Sequence, residues 1–292
     1  MQSREETNRS RKNYSLWLSA WRRLRKSRMA MFGLALFAII CLGAIFADVI
    51  APYPYDFQNL DETFQFPSAK HWFGTDSVGR DIFSRILYGG RVSLQIGLIS
   101  VLISVTIGGS LGAIAGYYGG KTDNLIMRTL DILLAIPAIL LAITIVTALG
   151  PGMFNLMLAI GVSSVPSFAR IVRASILSVK EQEFVEAARL SGCNDAHIIF
   201  SHLVPNIMAP IIVQVTLSMA LSILSASSLS FIGLGIQPPM PEWGAMLSAG
   251  RAYIRNYSHI VLFPGLAIMA TILSLNLLGD GLRDALDPRL KN

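Results

Sequence analysis

Cysteine is nearly absent from this 292-residue chain, with Cys41 and Cys193 the whole complement. The two fall on segments expected to lie far apart, which argues against a disulfide and against a cysteine-based metal site. Charge is scarce as well, 14% against 53% hydrophobic residues, and the mean hydropathy is +0.54. The charges are bunched and long windows carry none, so too little polar surface remains for a soluble globule. His71, His197, His202 and His259 show no metal-ligand spacing such as H-E-x-x-H, and no other catalytic set is visible. Gly120-Lys121-Thr122 resembles the end of a phosphate loop, but that motif needs glycine where Ala115 stands and a strand where a membrane span precedes it. Ionisable residues are missing from the core of every proposed span, whereas a proton- or ion-coupled secondary transporter keeps them on its pathway. The expectation is an integral membrane protein that is not an enzyme, holds no cofactor or metal, and draws its energy from elsewhere.

What is present is a series of apolar segments. The basic segment 1–28 carries nine Lys/Arg and leads into the apolar run 29–47, which at about 1.5 Å per residue is long enough to cross a bilayer. No small-x-small cleavage site follows, so this is read as an uncleaved first span. Residues 48–91 form an external loop in which Ile82, Phe83, Ile86 and Leu87 mark one face of a short interfacial helix. The core of five further spans, 92–278, starts with a helix bearing Gly108, Gly112 and Gly116, a small-residue stripe for close helix packing. Residues 132–169 lack any charge and are broken by Gly150-Pro151-Gly152, so they read as a hairpin of spans 132–149 and 153–169, with Pro137 and Pro166 as kinks or ends. The fifth span covers 207–232, and an external loop follows in which Trp243 suggests an interfacial anchor. The sixth span covers 260–278, before a polar tail, 279–292. The expected fold class is all-α, a polytopic membrane protein of six transmembrane helices.

Six spans put both termini and residues 170–206 on one side. That side carries 18 Lys/Arg and the other 6, and the positive-inside bias makes the richer side cytoplasmic. Orientation in a lipid bilayer thus accounts for the net charge of +6 without nucleic acid.

Residues 178–210 are polar and helix-prone between two apolar spans, and at about 37 residues the connection 170–206 exceeds an ordinary helix link. Ser178-Val-Lys-Glu181 reads as a capping box opening a helix to Ser191, with Gly192 at its left-handed end. Asn194-Asp195 starts a second helix that Pro205 limits. Two short helices at an angle make a stiff protrusion, and the small Ala187 and Ala188 would let a partner's backbone approach.

Glu186-Ala187-Ala188-x-x-x-Gly192 followed by Pro205 resembles the EAA loop of ABC-importer permeases, with His202-Leu203-Val204 departing from the usual Ile-x-Leu before the proline. Further blocks, at 73–94, 115–137, 237–247, 263–268 and 275–290, are similar to the C-type permeases of dipeptide, oligopeptide and nickel importers. The resemblance implies a type I importer fold with a cytoplasmic EAA coupling helix, located in a bacterial-type inner membrane. It implies as partners a homologous B-type permease, two cytoplasmic ABC ATPases and an external substrate-binding protein. Glu186, Ala187, Ala188, Gly192 and Pro205 would be the ATPase-coupling residues. From the spans themselves, Ser163, Ser164, Gln214, Ser218, Ser222 and Asn276 are candidates for a neutral, unselective pathway lining, or equally for interhelical hydrogen bonds. The expected cargo is a di- or oligopeptide, with nickel or a metal chelate as the alternative.

Overall fold

The computed structural model describes residues 16–286, and among these all continuous secondary structure is helical. Helices α1 (Leu16–Leu24) and α2 (Arg28–Ile45) are separated by Ser27, whose hydroxyl accepts from the Ala30 amide at 3.3 Å and caps α2. A short α3 (Ala47–Ile50) follows, and then a loop that ends at Asp81. Asp81 accepts from the Ser84 amide at 2.7 Å and opens α4 (Ile82–Tyr118), a helix of 37 residues. The expected interfacial helix at 82–87 is therefore the first turns of α4. The carboxylate cap and the buried Ile82 carry the helix straight into the span.

Beyond α4, α5 (Gly120–Leu134) and α6 (Ala138–Leu149) meet at a bend of 84°. The expected third span, 132–149, is thus not one rod. Pro137 stands at the bend as the residue preceding α6, and α6 is 12 residues long, about 18 Å at 1.5 Å per residue. The Gly150-Pro151-Gly152 break holds, with both glycines at positive φ, 88° and 156°. Helix α7 (Met153–Val179) contains Pro166 and continues ten residues past the expected end of its span at 169. The continuation is held by Val172 and Ile176, both buried against α4, and by Arg173, whose guanidinium pairs with both carboxylate oxygens of Asp123 on α5. The chain then forms α8 (Glu183–Leu190), α9 (Asp195–His197), a π-helical turn over Ile198–Leu203, and α10 (Val204–Asn206). It continues as α11 (Met208–Phe231), α12 (Trp243–Gly250) and α13 (His259–Leu286). Among the described residues, five helices, α2, α4, α7, α11 and α13, are long and apolar enough to cross a membrane, and the bent α5–α6 pair brings the number to six if it counts as one span.

Helices α4 and α7 form the spine. They run parallel and in step, because an added Cβ at Gly108 would meet the Val165 carbonyl at 2.7 Å, at Gly112 the Ala169 carbonyl at 2.3 Å, and at Gly116 the Ile176 Cβ at 2.9 Å. The glycine stripe is therefore a contact that only hydrogen can fill, as its spacing suggested. Helix α13 returns antiparallel along α2, with Gly33 beside Leu277 and Gly281 beside Ala30. These pairings set residues 179–207 and 281–286 at one end of the bundle, with the 46–81 and 232–258 loops at the other.

That second end is tightly built. Phe64 stacks on Tyr257 at 4.4 Å and Phe73 on Phe263 at 4.1 Å, fastening the long loop to the start of α13. Trp243, expected as an interfacial anchor, is instead buried, and its indole donates to the Ile86 carbonyl at 3.0 Å. A tryptophan whose polar edge finds a backbone acceptor loses the reason to sit at an interface.

Candidate functional site

The segment 180–207 forms a protrusion whose inner face belongs to the core of the bundle. Helix α8 has Glu183 and Glu186 in its first turn and Arg189 in its last, the charge order that complements a helix dipole. Its end is a Schellman turn: Gly192, at φ +79°, donates to the Arg189 carbonyl at 3.0 Å and Cys193 to that of Ala188 at 3.2 Å. The space around the Gly192 α-carbon is open, so glycine is required there by backbone conformation and not by crowding. Asn194 caps the next turn by accepting from the His197 amide at 2.8 Å, as its position suggested.

Three of the sequence expectations need correction. Ser178 opens no capping box: it lies in the last turn of α7 and donates to the Ser175 carbonyl at 2.7 Å, while α8 starts after Gln182 with no side-chain cap. The box pattern was overridden because packing against α4 prolongs α7 through it. Pro205 does not stop a helix either; it stands in the first turn of α10, where a missing N–H is tolerated, and the break falls at Ile207. Ala188 does not face outward: it is buried with Val185 in a cluster that includes Ala113, Tyr117, Phe168, Val172, Ile176, Ile198 and Leu203. Its small side chain lets α8 approach its own bundle, leaving Glu186 and Ala187 on the exposed face beside Leu190, which is 86% exposed.

Polar ties reinforce this seat. The Tyr117 hydroxyl at the foot of α4 hydrogen-bonds Asp195 at 2.7 Å, and the Arg189 guanidinium lies 5.4 Å from the centre of the Tyr117 ring. Lys180 donates to the Gly116 carbonyl at 3.2 Å. One tyrosine thus holds both sides of the turn after α8. Sequence reasoning did not single out Tyr117, Val185 or Lys180, because their partners are distant in the chain.

The six pathway candidates are spread over three helices. Ser163 and Ser164 both donate to the Ile160 carbonyl of their own helix at 2.9 Å. On α11, Gln214 donates to Ser218 Oγ at 3.0 Å, and Ser222 is buried one turn further on. Asn276 is on an exposed face of α13. Of the six, Gln214 lines a cavity of about 450 Å³ between α7, α11 and α13, together with Ile171, Val213, Leu217, Arg283 and Leu286.

The histidines are not all scattered. His71 Nδ1 is 2.9 Å from Asp81, the α4 cap, and His259 Nε2 is 3.4 Å from the Thr75 carbonyl, so these two brace the loop end. His197 and His202 meet on the protrusion with ring centres 5.4 Å apart.

Comparison with known proteins fits this arrangement. Residues 108–292 match the family described as the binding-protein-dependent transport system inner membrane component, and residues 15–67 match the N-terminal TM domain of oligopeptide transport permease C. The chain is 50% identical to the dipeptide transport system permease protein of Alkalihalophilus pseudofirmus over 95% of its length and 91% of the relative. It is 47% identical to the glutathione transport system permease protein of Pectobacterium atrosepticum, over 94% of this chain and 92% of that one. Among solved structures, an inward-facing MetNI methionine ABC transporter matches with a TM-score of 0.57 at 17% identity, over 70% of this chain and 96% of that one, a likeness of fold. The chain therefore belongs to the family of binding-protein-dependent transport system inner membrane components, the permeases of ABC importers.

Proposed function

We propose that the chain is the C-type permease of an importer for di- or oligopeptides, working with a homologous B-type permease, two cytoplasmic ABC ATPases and an external substrate-binding protein. The peptide class follows the names of its relatives, dipeptide and glutathione permeases at 47–50% identity over nearly their whole length. The positive-inside charge bias supports a cytoplasmic location for the protrusion and both termini, on the side where the ATPases would be.

The observation that carries the mechanism is the two-sided character of α8. Its inner face, Val185 and Ala188, is embedded in the core that holds α4 and α7; its outer face, Glu186, Ala187 and Leu190, is free for a partner. A push on the outer face would therefore move the spine of the bundle and be followed by α11 through the π-turn and Pro205. Gly192 keeps the turn after α8 in its left-handed form, and the neutral side chains of Ser163, Ser164, Gln214, Ser218, Ser222 and Asn276 are candidates to line a pathway that binds weakly, leaving selectivity to the binding protein.

The test uses the full complex in proteoliposomes, with binding-protein-stimulated ATP hydrolysis and labelled dipeptide uptake measured together. Glu186→Lys, or Gly192 replaced by a bulky residue, is expected to leave insertion intact and lower uptake per ATP. Normal uptake and stimulated hydrolysis in both variants would remove the coupling role from α8.

A further inference from the structure

His197-x4-His202 has the spacing of the histidine half of a Cys2His2 zinc motif, but the cysteine pair that would complete it is missing, and only the fold brings Cys193 to the two rings, with the three donor atoms all within 4.8 Å of one another. The cause is the backbone between them. Residues five apart on an α-helix, at 3.6 residues per turn, point roughly 140° from each other. His197 and His202 are five apart, and the π-helical turn at Ile198–Leu203, with its i to i+5 pairing, returns them to one side. The Schellman turn at Gly192 then brings Cys193 to the same place, and the Asn194 cap fixes the amide of His197.

We propose that Cys193, His197 and His202 form a binding site for a zinc-class divalent cation on the protrusion, with the fourth coordination position open to water or to a group from a partner. A thiolate with two imidazoles suits Zn²⁺ and disfavours Mg²⁺ or Ca²⁺, which seek oxygen. Bonds of about 2.0–2.3 Å in a tetrahedral site separate donors by roughly 3.3–3.7 Å, so side-chain rotations of about 1 Å complete it. Ser201 Oγ lies 3.4 Å from His197 Nδ1, a position from which a hydroxyl can orient the ring. Cys193 and His202 are half-buried and His197 is exposed, so the ion has access from solvent. The neighbouring ionic groups are engaged elsewhere: Asp195 with the Tyr117 hydroxyl and Arg189 over the Tyr117 ring. An ion bound here would tie the turn after α8 to the π-turn that leads into α11. The site is defined by its own donors and stands whether or not α8 couples to an ATPase.

The full-length reduced chain, purified in detergent, is titrated with Zn²⁺ against a chromophoric chelator, and separately with Co²⁺. Expected are one equivalent of Zn²⁺ per chain, a thiolate-to-cobalt absorption band, and protection of Cys193 from maleimide by about tenfold or more. Peptide mapping by mass spectrometry reports Cys193 separately from Cys41, so the unsubstituted chain suffices for the protection test. His202→Ala is expected to weaken binding by about tenfold or more. Absence of both the cobalt band and the protection would overturn the site, as would unchanged zinc binding in a Cys193→Ser, His202→Ala double variant. Transport is read on separate samples, so a loss of coupling and a loss of metal are distinguishable.

Discussion

If α8 transmits force because its inner face is part of the α4–α7 core, then loosening that face should uncouple the protein without touching the surface a partner would grip. Val185 is 0% exposed, and Val185→Ala removes two carbon groups from a packed site at the aqueous end of the bundle. At about 0.8 kcal/mol per buried methylene this costs about 1.6 kcal/mol, and a cavity left unrelaxed raises it to about 3 kcal/mol. With every 1.4 kcal/mol worth tenfold, local opening of residues 183–190 becomes about 10- to 100-fold more populated. Hydrogen exchange on the purified complex should show that acceleration in the peptide covering α8, with far smaller changes in the α4 and α7 segments, and uptake per ATP should fall. Leu190→Ala is the matched control: at 86% exposure it should leave exchange unchanged and weaken assembly with the ATPases. Wild-type exchange across 183–190 in Val185→Ala would refute the claim that the core holds α8, and normal uptake despite accelerated exchange would refute the need for stiffness.

Two further predictions concern the bundle and its other end. Gly112→Leu brings a Cβ to 2.3 Å from the Ala169 carbonyl and should sharply lower folded yield in detergent, whereas Gly109→Ala meets nothing within 4 Å and should hold or raise the unfolding temperature, since alanine favours a helix over glycine by about 1 kcal/mol. Normal yield of the leucine variant would show that the α4–α7 contact is not as tight as drawn. Burial raises the pKa of Glu242 above the ordinary carboxylate value, although its oxygens accept from the Gly244 and Ala245 amides at 2.9 and 2.8 Å. The folded state then holds this proton more tightly than the unfolded one, so stability is greater below the unfolded pKa and declines as pH rises from there through the folded value. Glu242→Gln should flatten that slope in thermal unfolding measured across pH; an unchanged slope would place the titration elsewhere.

Much of the architecture was legible in the chain because bilayer length and residue spacing are local quantities. Long uncharged runs marked the membrane helices, Gly150-Pro151-Gly152 marked the break between two of them, and Gly108, Gly112 and Gly116 marked a face for close helix packing, whose partner, α7, only the structure identified. The motif around Glu186 and Gly192, with its companion blocks, pointed to the family that the comparisons show. Helix ends were less legible, since α4 starts within the expected loop and α7 outlasts its span through burial of Val172 and Ile176 and the Arg173–Asp123 pair.

What the sequence by itself determined is the membrane class, the positions of the apolar segments and the glycine that ends α8, all set by hydropathy and backbone conformation within a few residues. Tertiary structure alone decided that Ala188 points inward, that Tyr117 holds the turn after α8, and that Cys193, His197 and His202 face one another. Each depends on which way a helix is rotated against its neighbours, or on a π-turn, and that choice is made by burial energy summed over segments far apart in the chain.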